Sequence, residues 1–271
     1  MFAYFLDDWT AHKRYSREVD SLDLLLTQHG IIGRRIRLGR LHDLDASVRD
    51  CAVSGVKTFV AIGNDATASK LLNSLLKMDG YQSDKGPTAA LAVLPIGDEQ
   101  KIAACLGSNT VPEAVQTLVE HRTESIDVGK LNNRHYFMTM ATFPPKVSLG
   151  FLSYTVSLMD DEHQVHICNT NVFNLKSDVR YQKSFNPQDG MFEAVITRRL
   201  PAADWKQLFA KEKFSSNFQI ESVFPHQRIT VLSREKTISV MADAEKQLST
   251  PVEVEVEPQK LLVVVGAKNN F

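Results

Sequence analysis

Apolar positions recur along residues 12–29 with helical spacing, at Tyr15, Val19, Leu22 and Leu26, and Gly30 follows where a helix ends. The same pattern predicts a strand over Ile31–Leu38, a helix over Leu44–Ser54 stopped by Gly55, and a short buried strand over Thr58–Ile62. A third helix over Thr67–Met78 turns Leu71, Leu72, Leu75 and Leu76 inward; a strand over Ala89–Leu94 ends at Pro95, and helices follow at about 99–106 and 112–121. Apolar strands alternating with amphipathic helices predict an α/β domain with a parallel sheet covered on both faces, whose ligand sites lie at the carboxyl ends of its strands.

From Ile126 the texture changes to β-branched and aromatic runs: Tyr136–Phe143, Val147–Leu158, Val165–Phe173, Phe192–Thr197, Ile229–Leu232 and Thr237–Met241. A helix at about 202–211 interrupts them, and Val252–Glu257 alternates Val and Glu as a strand with one wet face does. The expected organisation is an α/β domain over 1–125 and an all-β sandwich over 126–271, with the last strand returning to the first domain.

Composition narrows the function. With 31 Lys plus Arg against 32 Asp plus Glu, the net charge of -1 provides no field for nucleic acid, so no nucleic-acid partner is expected. Cys51, Cys105 and Cys168 are odd in number and widely spaced, which excludes a disulfide framework and fits a cytoplasmic setting. Met1–Trp9 lacks the basic start of a signal peptide, and no apolar run reaches the roughly 20 residues of a membrane helix. His163 and His166, three apart on a strand, point to opposite faces and make no metal pair. Arg34, Arg35, Arg37 and Arg40 form the basic cluster, read as a solvated strand face.

Two turns carry candidate chemistry. TFVAIGNDATASKLL over Thr58–Leu72 is a buried strand, a polar turn and a helix start, where free backbone amides can hold an anion. Gly63 suits an unusual backbone conformation, Asp65 can position a donor or a metal-bound phosphate, and Thr67 is the expected cap. AALAVLPIGDEQKIAACLG over Ala89–Gly107 repeats the arrangement with Pro-x-Gly in its turn. A plain capped turn is the alternative reading of each.

In order and spacing, these turns resemble the two signature turns of the diacylglycerol-kinase and sphingosine-kinase family of lipid kinases. Gly63, Asp65 and Thr67 match the family's Gly-Gly-Asp-Gly-Thr, while Pro95, Gly97 and Ala103 match its Pro-x-Gly-Thr-x-Asn-Asp-x-Ala. SIDVGKLNNRHYF over Ser125–Phe137 is similar to the family's Ile-Asp-Leu-Gly strand, and QDGMFEAV over Gln188–Val195 to its Asp-Gly-x-Leu segment. SVMADAEKQLSTPVEVEVE over Ser239–Glu257 resembles its Asp-Gly-Glu turn.

The resemblance implies phosphates cradled by Gly63, Asn64, Asp65, Thr67, Pro95 and Gly97, a general base at Asp243 with Glu245 as its acidic partner, and a structural Mg²⁺ on Asp189 with the carbonyls of Asn186 and Met191. For the last two, a solvated acidic hairpin and an Asp-Gly β-turn are the plain alternatives. It further implies transfer of the γ-phosphate of ATP to the hydroxyl of a lipid such as diacylglycerol, and it allows peripheral membrane contact and a homodimer.

Departures fall on the nucleotide side. LDDWTA over Leu6–Ala11 stands where the family has an Asn-Pro-x-Ser-Gly loop; Asn64 and Ala66 replace glycines of the first turn, and Ala244 the glycine of the last. Asp98, Gln100 and Lys101 replace Thr, Asn and Asp of the second turn. Like charges about 4 Å apart repel by about 4 kcal/mol at an effective dielectric near 20, so Asp98 works against phosphate. The rival expectation is therefore a catalytically silent pseudokinase that binds lipid or another ligand.

Overall fold

The computed structural model describes residues 1–39, 42–173, 184–199, 218–233, 238–269 and 271. The chain opens with β1 (Phe2–Asp7), 3₁₀ turns over Asp8–Ala11 and Lys13–Tyr15, α1 (Ser16–Gln28), β2 (Gly33–Leu38), α2 (Leu44–Val53), β3 (Thr58–Gly63) and α3 (Asp65–Lys77). A small hairpin, β4 (Gln82–Ser83) and β5 (Gly86–Pro87), leads to β6 (Ala90–Pro95), α4 (Lys101–Cys105) and α5 (Val111–Glu120). Then come β7 (Thr123–Leu131), β8 (His135–Phe137), β9 (Met140–Phe143), β10 (Val147–Gly150), β11 (Thr155–Ser157), β12 (His163–Cys168), β13 (Phe192–Arg199) and β14 (Phe218–His226). The remaining strands are β15 (Arg228–Ser233), β16 (Ser239–Ala242), β17 (Glu245–Ser249) and β18 (Val252–Val264).

The first strands are apolar throughout because both of their faces are covered. Ala3 and Phe5 of β1 join Phe59, Ala61, Val48 and Leu71 in one core under α2 and α3; Tyr4 and Leu6 join Val60, Ile62, Leu22 and Leu118 in another under α1 and α5. β2, β1, β3 and β6 are parallel and lie in that order. The chain leaves β1 toward β2 but leaves β3 toward β6, so the strand order reverses between β1 and β3. Such a reversal opens a crevice at the carboxyl ends of those strands, where α/β proteins hold ligands.

The sheet continues antiparallel through β18, β15, β10 and β11, with β7 and β8 paired off β18. A second sheet, β14-β13-β12-β9-β16-β17, packs over it. Leu131, Leu149, Val231 and Val252 on one side meet Phe143, Val165, Phe192 and Val240 on the other, a sandwich core of alternating inward residues. The architecture is thus a parallel α/β layer plus an antiparallel sandwich, as expected.

Several elements differ in extent from their sequence expectation. The helix over 12–29 starts only at Ser16, because His12 is extended and separates two short turns that bury Tyr15 against Trp9. The strand over Tyr136–Phe143 breaks between β8 and β9, where Met138 and Thr139 turn their amides to Asp243. Val147–Leu158 is two strands around a reversal. β18 runs seven residues past Glu257, beside β7 and then parallel to β6. The strand β14 had no clear sequence pattern, and the helix expected at about 202–211 lies outside the described residues.

Candidate functional site

The two signature turns meet at the carboxyl ends of β3 and β6, where Gly63 lies opposite Pro95 in register. A Cβ on Gly63 would come within 2.8 Å of the Thr67 Cβ, so only glycine lets the strand turn this closely into the helix. Asn64, not Thr67, caps α3: its side chain accepts the Thr67 N–H at 3.3 Å, which starts the helix at Asp65. Asn64 is extended and Ala66 lies in the first helical turn, so neither position needs the conformational freedom of the family glycine. The Thr67 hydroxyl lies 3.2 Å from both Asn64 Oδ1 and Asp7 Oδ2, bridging the ends of β3 and β1.

Asp65 is buried, and its carboxylate accepts the Lys101 and Ile102 N–H groups at 3.0 and 2.9 Å. It thereby caps α4 and ties the first turn to the second, while its own N–H donates to the Glu99 carbonyl at 2.9 Å. Burial pushes its carboxyl up to about 7, against the two amide bonds and with the Asp243 charge adding to the rise. Gly97 has φ 81, and a Cβ there would lie 2.9 Å from the Trp9 ring. Its N–H donates to Glu18 Oε2 of α1 at 3.3 Å, and its carbonyl accepts the Gln100 amide. Trp9 in turn meets Tyr15 edge-on at 4.9 Å.

At the carboxyl ends of β1 and β2 lies a cleft of about 530 Å³, walled by Asp7, Asp8, Trp9, His12, Leu38, His42, Leu44 and Lys70. Two carboxylates, one ammonium and two imidazoles line it, and Lys70 lies 3.5 Å from Asp7.

Asp243 and Ala244 both have positive φ, 44 and 64, in the tight turn joining β16 to β17. The Asp243 carboxylate is buried and fills the break between β8 and β9. It accepts the N–H groups of Met138 at 2.6 Å, Thr139 at 2.9 Å and Met140 at 3.3 Å, together with the Thr139 hydroxyl. Burial still holds its carboxyl above the usual carboxylate range. Glu245 begins β17 opposite Ala242. The β17 hairpin touches α3, which brings the Asp243 turn to the same side of the molecule as the two signature turns.

Asp189, Asn186 and Met191 form a separate turn before β13. Asp189 Oδ1 accepts the Met191 N–H at 2.9 Å, and the Asn186 carbonyl accepts the Asp189 N–H at 3.4 Å. The turn docks on Asp127, whose two oxygens accept the N–H groups of Gly190 at 2.7 Å and Gln259 at 2.8 Å. Burial, and then the Asp127 charge, raise the Asp189 carboxyl. A hydrated Mg²⁺ fits this donor set: one carboxylate, nearby carbonyl oxygens and a local excess of negative charge.

Sequence reasoning missed Glu18, Trp9, Thr139 and the bridging role of Asp127. Asp127 stood in the quoted Ser125–Phe137 segment, whereas nothing local marked Glu18. His163 and His166 do face opposite ways. His163 pairs with Asp160 and Glu221, while His166 is buried between the Thr142 and Thr197 hydroxyls, where desolvation lowers it to about 4.

Residues 5–131 match the family model of the diacylglycerol kinase catalytic domain, a segment that holds both signature turns and Asp127. The match supports the family resemblance for this segment. Proteins named "Probable lipid kinase YegS-like" from Yersinia pestis (strain Pestoides F) and Yersinia pseudotuberculosis serotype O:1b are each 32% identical to this chain over 101 residues. That alignment covers 37% of this chain and 32% of each relative, so it spans about a third of the relatives' length. The fold agrees over a far longer stretch. The crystal structure of a diacylglycerol kinase from Bacillus anthracis str. Sterne superposes with a TM-score of 0.68 at 14% identity, covering 99% of this chain and 97% of that one. Among the described residues, no helix is long and apolar enough to cross a membrane.

Proposed function

We propose that this chain binds a ligand in its cleft and is silent in ATP-dependent phosphoryl transfer. One observation carries the reading: main-chain N–H groups of both signature turns are bonded to oxygens of the chain itself. The Gly97 N–H is on the Glu18 carboxylate, those of Lys101 and Ile102 are on Asp65, that of Asp65 is on Glu99, and that of Thr67 is on Asn64. Phosphoryl transfer depends on such donors being aimed at the phosphates. Here a triphosphate has to displace a carboxylate at Gly97 and face Asp7, Asp8 and Asp98. The expected setting is the cytoplasm, with peripheral contact at a membrane that supplies a lipid.

A second reading is supported by Asp243. A buried carboxyl with a raised proton affinity, on the side of the two turns, suits a general base. On that reading Gly63, Asn64, Asp65, Thr67, Pro95 and Gly97 cradle ATP, Glu245 assists, and the acceptor is the hydroxyl of diacylglycerol or a similar lipid. On either reading Asp189, with the Asn186 and Met191 carbonyls, would hold Mg²⁺, which would supply charge to offset Asp127 and stiffen the turn.

Thermal shift with Mg·ATP separates the two readings, because a ligand at 100 times its Kd stabilises by about 2.7 kcal/mol. No shift at millimolar Mg·ATP, and no radiolabelled phosphate transferred to a mixed lipid extract, are expected. Transfer that is lost in Asp243→Asn would establish the second reading instead.

A further inference from the structure

We propose that the cleft at the carboxyl ends of β1 and β2 binds a small organic ammonium ligand with an apolar body. Its volume of about 530 Å³ lies in the range of small-molecule sites. The charges on its walls do not cancel. Lys70 and Asp7 lie 3.5 Å apart and offset one another, and Asp7 also faces the Thr67 hydroxyl. The Asp8 carboxylate has neither a hydrogen bond nor an ion pair among the described residues. Its carboxylate lies against Gly39, where a Cβ would come within 3.0 Å of Oδ2, so the glycine leaves it room.

The rest of the wall is Trp9, Leu38 and Leu44, with Gly39 and the His12 and His42 rings beside them. An ionised carboxylate only accepts hydrogen bonds, and an indole face attracts cations. An ammonium group satisfies both, a neutral hydroxyl satisfies the first alone, and an anion is repelled by both. The apolar wall calls for a hydrocarbon or aromatic body on the amine. This inference names the ligand class of the proposed function, and it rests on that reading for the exclusion of nucleotide.

The test is calorimetric titration of the full chain at pH 7 with 2-phenylethylamine, 2-phenylethanol, 3-phenylpropionate and adenosine. The amine is expected to bind about tenfold or more tighter than the alcohol, and the propionate weakest of all. Asp8 is exposed, so Asp8→Asn should keep the wild-type melting temperature and lose the preference for amine over alcohol. Lys70→Met removes the competing cation and should tighten amine binding.

Fluorescence of Trp9, read in a Trp205→Phe background that leaves one tryptophan, should change on amine binding. The proposal is overturned by equal affinity for amine and alcohol, by a preference that survives Asp8→Asn, by tighter binding of adenosine, or by no amine binding up to about 10 mM. A shift with Mg·ATP would sink the proposed function, whereas loss of the amine preference alone would sink only this inference.

Discussion

Asp65 and Asp243 are acidic side chains whose hydrogen-bonding capacity is largely spent on the protein's own backbone, and stability should report this before activity does. Asp243→Ala removes the acceptor for the buried Met138 and Thr139 amides and is expected to cost about 3 kcal/mol in urea unfolding. The pH dependence has a definite sign. Asp65 has a folded pKa of about 7 against 3.8, so the folded state binds its proton more tightly than the unfolded state does. Its contribution to stability is therefore greatest at low pH and declines as pH rises from about 4 to 7. Asp65→Asn should flatten that part of the stability profile, measured by denaturant midpoints at several pH values. His163 slopes in the same sense: its pKa is raised by Asp160 and Glu221, so its stabilisation is lost as pH rises through the folded value. A parallel measurement on His163→Gln separates the two.

Each element that shapes the site is set by a local conflict between chain geometry and side-chain chemistry. The Asp243–Ala244 turn places an alanine at φ 64, a region that costs an L-residue roughly 1 kcal/mol or more. Ala244→Gly should accordingly raise stability by about 0.5–1 kcal/mol in a denaturant melt, provided the turn keeps its shape. At the other turn the conflict was resolved in the sequence: Asn64 became an extended helix cap and Ala66 a helical residue, so losing two family glycines left β3 and α3 intact. Such substitutions appeared as damage in a motif, yet the dihedral angles make them compatible with the fold. What they change is the supply of free donors at the helix start, because the cap uses the Thr67 amide.

At the scale of the molecule, β18 and Asp127 hold the parallel layer and the sandwich together. β18 pairs with β15, β7 and β6 in turn, and its register shift between Glu257 and Leu261 is held by the Gln259 N–H on Asp127. Asp127→Ala should release this shift and the Asn186–Met191 turn together, and hydrogen exchange should quicken at Gly190 and Gln259 while β1 and β3 stay protected. The parallel layer was legible in the sequence because helix and strand periodicity are local, and burial on both faces writes continuous apolar runs such as Thr58–Ile62. Both signature turns and the Asp243 turn were legible as well, since each is a short segment with its own turn chemistry. β14 was not legible, as a strand of mixed exposure carries no clean alternation. Nor was the fate of the turn amides: Glu18 reaches Gly97 across 79 positions and Asp127 reaches Gln259 across 132. By itself the sequence determined which segments become helices, strands and turns. Only the tertiary structure decided which oxygens occupy the amides of those turns, because that depends on which distant side chains folding brings within 3 to 3.5 Å.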